Sequence, residues 1–312
     1  MSTTPPTSRE QMPDEEAERD DQAPGAGGTE PKGRRWGKFF VSGSLLFVCL
    51  LWLIPTMGLL ISSLREEDLV KTTGWWTVLA SPLDFTQWTL ENYSEVLSAG
   101  MANAFLNSFV VSIPAVIIPI LSAAFAAYAF AWMRFPGRET LFIMLIALLV
   151  VPLQVAFIPL LQLYGNMGLT GTFPAVWLAH TGFAMPLAVY LLRNYMGSLP
   201  REVIESAEVD GASHFQIFWR LMIPLSTPVL AAFAILQFLW VWNDFLIALI
   251  FLGSNTENQV VTLAMNRLIG SRGEEWHLLT AGGFIIISVP LLVFFALQRY
   301  FVRGLTAGSV KG

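Results

Sequence analysis

The sequence carries little charge for its length. Only 13% of its 312 residues are Asp, Glu, Lys or Arg, against 54% hydrophobic. A soluble domain draws on about 25% charged residues for its surface, so a water-soluble globule of ordinary size is excluded. The single cysteine, Cys49, excludes an internal disulfide framework and a cysteine-rich metal site. It lies in an apolar run and reads as a small packing residue rather than a reactive thiol. The three histidines, His180, His214 and His277, are not spaced as metal ligands. No Gly-x-x-x-x-Gly-Lys segment is present to cradle a phosphate. The chain is therefore expected to bind no metal or cofactor and to hydrolyse no ATP of its own.

The net charge of −5 is unevenly distributed. Residues 1–31 hold eight acids (Glu10, Asp14, Glu15, Glu16, Glu18, Asp20, Asp21 and Glu30) against Arg9 and Arg19, which leaves the rest of the chain near +1. Pro5-Pro6, Pro24-Gly25 and Gly27-Gly28 punctuate this tail. It cannot bury enough apolar surface to offset chain entropy, so residues 1–36 are expected to be a disordered acidic tail. The apolar run that follows starts only after Lys38 and is too long for a signal peptide.

What the sequence has in abundance is long apolar runs. About 20 apolar residues in a helix cross ~30 Å of hydrocarbon. Six stretches meet that length, at about 39–63, 104–130, 140–164, 172–192, 225–252 and 278–300. The third and fourth are one long run divided by Gly165-Asn166-Met167-Gly168 and Gly171. The expected fold is all-α and polytopic, with residues 37–312 forming one transmembrane domain. Lys and Arg accumulate on the cytoplasmic side, and this orients it. With the N-terminus inside, Lys32, Arg34, Arg35, Lys38, Arg134, Arg138, Arg193, Arg201, Arg220, Arg299, Arg303 and Lys311 fall inside. Only Arg65, Lys71, Arg267 and Arg272 fall outside. Both ends are expected in the cytoplasm, around a multi-pass inner-membrane protein.

Three hydrophilic segments connect the spans. The first external loop, about 65–100, carries Trp75, Trp76 and Trp88, which suit a membrane–water interface. In it Thr89 is placed to cap a short helix with Leu90, Tyr93 and Leu97 on one face. The last external loop, about 253–277, is polar and expected to be part helical. Prolines fall in every span (Pro55; Pro114 and Pro119; Pro152 and Pro159; Pro174 and Pro186; Pro228; Pro290). Each removes a backbone donor and is expected to kink its helix, which favours a transporter or channel over a passive anchor.

The cytoplasmic segment 201–224 is the most informative. Arg201 to Asp210 are good helix formers, Gly211 suits a left-handed reversal, and Ser213 can cap a second short helix ending at Pro224. The expected product is a helix–turn–helix knob. Small Ala207 and Ala212 allow close approach by a partner, and Glu205 supplies a charge beside the contact. The spacing Glu205-Ser206-Ala207, three residues, Gly211, nine residues, Leu221-Met222-Ile223-Pro224 resembles the EAA loop of binding-protein-dependent ABC importer permeases. It departs from that pattern at Ser206, Leu221 and Ile223. Thr89-Leu90-Glu91-Asn92-Tyr93, Trp242-Asn243-Asp244-Phe245 and the ending Gly304 to Gly312 resemble carbohydrate permeases of the maltose type, MalG-like in the last case.

The resemblance implies a permease subunit of an ATP-driven sugar importer, with a lean towards α-glucosides. Its implied partners are a MalF-like second permease, two MalK-like ATPases using ATP and magnesium, and an extracytoplasmic sugar-binding protein. Glu205, Ala207, Asp210, Gly211, Ala212 and Pro224 would couple to the ATPase. Gly308, Lys311 and Gly312 would lie in a tail at the ATPase interface. Asp244 is expensive in lipid and must face protein or water. It fits equally a substrate pathway with Trp242 and Asn243, or a structural hydrogen bond. His180 and Gln154 read as interhelical hydrogen-bonding groups. Rival classes are an ion-gradient transporter, for which no internal repeat is visible, and an intramembrane enzyme, for which no nucleophile and base share a span.

Overall fold

A computed structural model describes residues 32–253, 255–269 and 275–306, with side chains from 39 to 298. Residues 1–31 of the acidic tail and the residues Gly308, Lys311 and Gly312 lie outside the described residues, whereas residues 32–36, expected to be disordered, form the start of α1. The chain divides into two units at Ile54/Pro55. The described part of the first is helical throughout. Helix α1 (Lys32–Ser63) carries Pro55 at the boundary.

From Pro55 onward the described elements are all helical. They are α2 (Glu67–Thr72), α3 (Glu91–Val96), α4 (Ala102–Trp132), α5 (Arg138–Ala147), α6 (Leu153–Asn166) and α7 (Phe173–Gly197), then α8 (Arg201–Val209), α9 (His214–Ile217), α10 (Ile223–Leu225), α11 (Thr227–Trp242), α12 (Leu246–Leu252), α13 (Val261–Leu268) and α14 (Trp276–Thr306). Among the described residues, four helical stretches are long and apolar enough to cross a membrane, or six if each of two bent pairs is one span.

The spine is α4 against α7. Ala123, Ala124 and Ala127 of α4 and Ala184 and Ala188 of α7 are buried in one cluster. Small side chains let two helix backbones approach closely, which is how helices associate where no hydrophobic drive separates them from lipid. The two helices run parallel. At one end Asn107 donates to the carbonyls of Glu257 (2.7 Å) and Gln259 (2.9 Å), and Asn258 donates to Gly171 (2.9 Å). At the other end the Trp132 indole donates to the Met196 carbonyl at 3.1 Å. Buried Gln237 of α11 donates to the Ala115 carbonyl of α4 at 3.1 Å.

The prolines divide into three kinds. Pro152 sits at the break between Arg138–Val150 and Leu153–Asn166, where the chain bends by 103°. The third span is thus sharply broken rather than one helix. Pro174 and Pro228 occupy the first turns of α7 and α11, where backbone donors have no helical partner anyway, so they start helices and do not kink them. The others lie inside helices, as expected.

The fifth span is also discontinuous. Helix α11 has 16 residues, about 24 Å at 1.5 Å per residue, which is short of the hydrocarbon thickness. A break at Asn243–Phe245 follows, and α12 adds seven residues.

The first external loop is a built lobe. Its neck is closed by Thr89 N–H to the Leu64 carbonyl (2.8 Å) and by an Arg65–Trp88 bridge. The Asn92 amide donates to the carbonyls of Ser63 (3.0 Å) and Arg65 (2.8 Å), satisfying acceptors left open at the end of α1. Thr89 accepts from Glu91 N–H at 3.0 Å from two residues ahead of α3, whose cap position is Leu90 rather than Thr89. The inward face of α3 is Asn92 and Val96, while Leu90 and Leu97 are exposed. The anticipated apolar face is therefore corrected: polar Asn92 is buried because two carbonyls need it. Asp84 accepts from Thr86 Oγ1 (2.7 Å) and Thr86 N–H (3.1 Å), and these bonds hold its carboxyl below the usual range.

Candidate functional site

The knob is assembled by two opposed capping devices. Helix α8 ends at Asp210, and Gly211 follows at φ +78°. There Ala212 N–H reaches the Ala207 carbonyl (2.9 Å) and Gly211 N–H the Glu208 carbonyl (3.0 Å). This pair of bonds is the Schellman pattern, which needs a left-handed residue at its centre and brings Ala212 beside Ala207. Ser213 then opens α9 with a capping box. Its Oγ accepts from Gln216 N–H (3.4 Å), and Gln216 Oε1 accepts from Ser213 N–H (2.9 Å). Between Ala207 and Gln216 the chain thus reverses direction with two carbonyls at the end of α8 and two N–H donors at the start of α9 paired locally.

The second helix does not end at Pro224, contrary to the sequence expectation. A π turn, Phe218–Met222, carries it into α10, which includes Pro224. The chain then bends by 72° between His214–Leu225 and Thr227–Trp242. The widened turn lies immediately before the proline, where a regular helix would set the ring against the Arg220 carbonyl.

Ile204, Ile217, Phe218 and Met222 are buried with Tyr128, Leu192 and Met196, seating the knob on the ends of α4 and α7. Tyr128 Oη and His214 Nδ1 lie 2.9 Å apart. Phe125 stacks on Phe218 at 4.4 Å between ring centroids. The Glu, Gly and Pro spacing of the loop does not mark these seating residues; Ile217, Phe218 and Met222 carry the separate i+3, i+4, i+8 signal of an amphipathic helix face.

What remains outward is the candidate surface. Glu205, Asp210, Gly211 and Pro224 are exposed, and Ala207 and Ala212 are half-buried. Two large apolar side chains crown the turn, Val209 at 87% and Phe215 at 68% exposure. Beside α8 a cleft of about 1020 Å³ is lined by Arg134, Arg138, Arg201, Glu205, Glu208 and His214, among others. Five of the six coupling residues read from the sequence lie on the first helix and turn of the knob, and Pro224 lies at the far end of its second helical stretch. Val209 and Phe215 were missed, since isolated apolar residues in a loop carry no periodic signal.

The residues assigned to a substrate pathway are not brought together as one polar group. Trp242 is buried among Phe105, Phe109 and Phe238, and its indole donates to the Ile286 carbonyl at 3.1 Å. Asn243 is exposed and donates to the Leu239 carbonyl of its own helix at 2.8 Å. Asp244 accepts from Ala248 N–H at 3.0 Å and so caps α12 across the break, while its backbone carbonyl accepts from Thr262 (2.6 Å). Buried His180 lies 3.8 Å from the Asp244 carboxylate and packs edge-on against Trp240. Gln154 is exposed on the first turn of α6, not bonded between helices as expected.

Broken apolar spans around a parallel α4–α7 spine, with a helix–turn–helix knob on one end, define an integral membrane permease subunit. The family comparison agrees. Residues 105–307 match the binding-protein-dependent transport system inner membrane component family, and the chain belongs to it. It is an inner-membrane permease of an ATP-binding-cassette importer. The osmoprotective compounds uptake permease protein GgtD of Synechocystis sp. is 56% identical over 91% of this chain and 95% of its own length. The alpha-glucoside transport system permease protein AglG of Rhizobium meliloti is 45% identical over 86% of this chain and 96% of its own. Among solved structures, a bacterial ABC transporter that imports the acidic polysaccharide alginate has a chain of the same fold. Its TM-score is 0.70 at 20% identity, covering 87% of this chain and 98% of that one.

Proposed function

We propose that this permease carries a di- or oligosaccharide of the α-glucoside class inward, driven by ATPase subunits that grip the knob. The observation that carries the coupling half is the knob's construction. An exposed crest of Val209 and Phe215, flanked by Glu205 and Asp210, stands on a turn whose backbone is locked from both sides. Such a surface suits a partner's cleft, because the apolar crest is desolvated on docking while the charges fix its register. The substrate half is supported by the name and 45% identity of the alpha-glucoside permease.

In this reading two ATPases, a second permease and an extracytoplasmic binding protein complete the importer, and both termini of this chain are cytoplasmic. ATP and magnesium act on the partner subunits, and this chain catalyses no reaction. ATPase closure moves the knob, and the knob moves the ends of α4 and α7 on which Ile204, Ile217 and Phe218 are seated. Access then shifts because ATP-bound and ATP-free partners contact the knob differently. Asp244 and Asn243 at the break in the fifth span are proposed to border the route, and the tail residues Gly308, Lys311 and Gly312 to reach the ATPase interface.

The test is uptake of radiolabelled α-glucosides by the complete importer in proteoliposomes, with a non-sugar osmolyte such as glycine betaine as competitor. ATP-dependent accumulation of the glucoside, undiminished by betaine, is the expected result. Accumulation of betaine alone would overturn the substrate assignment and leave the coupling assignment standing.

A further inference from the structure

We propose that the lobe between Gly74 and Phe85 is a second membrane contact of this chain, a monotopic anchor resting in the interfacial layer of the bilayer beside the end of α1. The lobe folds back along its own span. The Trp75 indole lies against Gly58, where an added Cβ would meet its Nε1 at 2.7 Å. Gly58 precedes the last residue of α1 by five positions, so Trp75 sits roughly 7.5 Å inside the helix end at 1.5 Å per residue. With the end of α1 at the membrane surface, that places the indole at the headgroup–acyl boundary, where indoles concentrate.

The surface the lobe presents beyond Trp75 is apolar. Trp76 is 62% exposed, Leu79 68%, Leu83 81% and Phe85 80%, while Val78 alone points inward. No charged residue occurs from Thr72 to Leu83. Met57 and Leu59, which flank Gly58 in sequence, are exposed as well, on a helix read as a membrane span.

The lobe is also stiff. The buried Arg65 guanidinium donates to the Gly74 carbonyl (3.1 Å), Thr73 (3.0 Å) and Thr77 (3.2 Å), and Trp76 folds over Gly74. A loop destined for water gains nothing from holding four large apolar side chains outward. A short element that lies on a bilayer does, because burial scales with the apolar area it presents. The charge-free stretch from Thr72 to Leu83, with Asp84 at its edge, favours lipid over a protein partner. The contact does not depend on which side of the membrane the lobe occupies.

Single cysteines at Leu79 and Phe85, in a Cys49→Ser background, would be labelled with the polarity-sensitive fluorophore NBD in the assembled importer in nanodiscs. A third label at exposed Thr256 serves as the aqueous reference. Retained sugar uptake by each labelled form establishes that it is folded, and Leu83 replaces any position that fails this. Expected is a blue-shifted emission at 79 and 85 that is lost with lipids spin-labelled at acyl carbon 5, and resistance to aqueous iodide. Thr256 should show the reverse. Labels at 79 and 85 that behave like Thr256 overturn the proposal. Labels that are quenched by iodide and become protected only when the binding protein is added overturn it too, and identify a protein-docking face instead.

Discussion

Gly211 lends itself to a graded test of the knob. It sits at φ +78°, and a Cβ built there meets nothing within 4 Å. Any cost of substitution is therefore backbone strain alone, with no packing contribution. For an L-residue held left-handed that cost is about 1–2 kcal/mol. It is smallest for Asn, which tolerates the region, and largest for β-branched Val. At about 1.4 kcal/mol per tenfold, Gly211→Ala should lower the equilibrium constant for the correctly turned knob by about 5- to 30-fold, with Gly211→Asn milder and Gly211→Val worse. The spans do not contain this turn, so membrane insertion should be unchanged. Co-purification of the ATPase with the tagged permease should fall in the order Gly, Asn, Ala, Val, and sugar uptake with it. Gly197→Ala, a helical glycine in equally open space at the end of α7, should behave as wild type. Equal docking by the Val and wild-type forms would refute the coupling assignment, and an Asn variant as impaired as Val would refute the strain argument.

Three further expectations follow from the same geometry. Ser213→Ala removes the capping box of a four-residue helix at a cost of about 1 kcal/mol, and should reduce ATPase docking less than Gly211→Val; docking equal to wild type would show that the cap is dispensable. Asp244→Asn keeps an acceptor for Ala248 N–H and should leave the melting temperature of the purified complex unchanged, whereas Asp244→Ala should lower it by an amount matching about 1–2 kcal/mol for a lost cap. Unchanged uptake in the Asn form, at unchanged stability, would assign the carboxylate to structure alone. Thr256→Cys in a Cys49→Ser background should react with an impermeant thiol reagent in intact cells and Phe215→Cys should not, and the opposite pattern would invert the proposed orientation.

The coarse plan of the molecule was legible because its signals are local. Apolar run length marks spans, and Gly211 and Ser213 mark a turn by their own backbone and side-chain chemistry. Departures arise where a distant group decides. Asn92 is buried because carbonyls 27 and 29 residues away need its amide. Pro174 and Pro228 read as kinks until their helices are seen to begin there. Trp242, Asn243 and Asp244 are consecutive, yet a helix break sends them to an aromatic cluster, an open surface and a cap. Adjacent residues at a break share no face, which sequence spacing alone does not reveal.

The stitching at the end of the bundle opposite the knob treats the two sides of each bond differently. The side chains of Asn103, Asn107 and Ser108 on α4 all bond to main-chain atoms of Glu257, Gln259 and Val261. From α4 the scaffold therefore recognises the path of that loop, while within the loop Asn255 accepts from Glu257 N–H (3.0 Å) and Asn258 donates to Gly171 (2.9 Å). Side chains at Thr256 and Glu257 are exposed and free to change without loosening the seat. A new docking partner could be accommodated by rewriting those few positions, much as a fixed socket accepts interchangeable fittings.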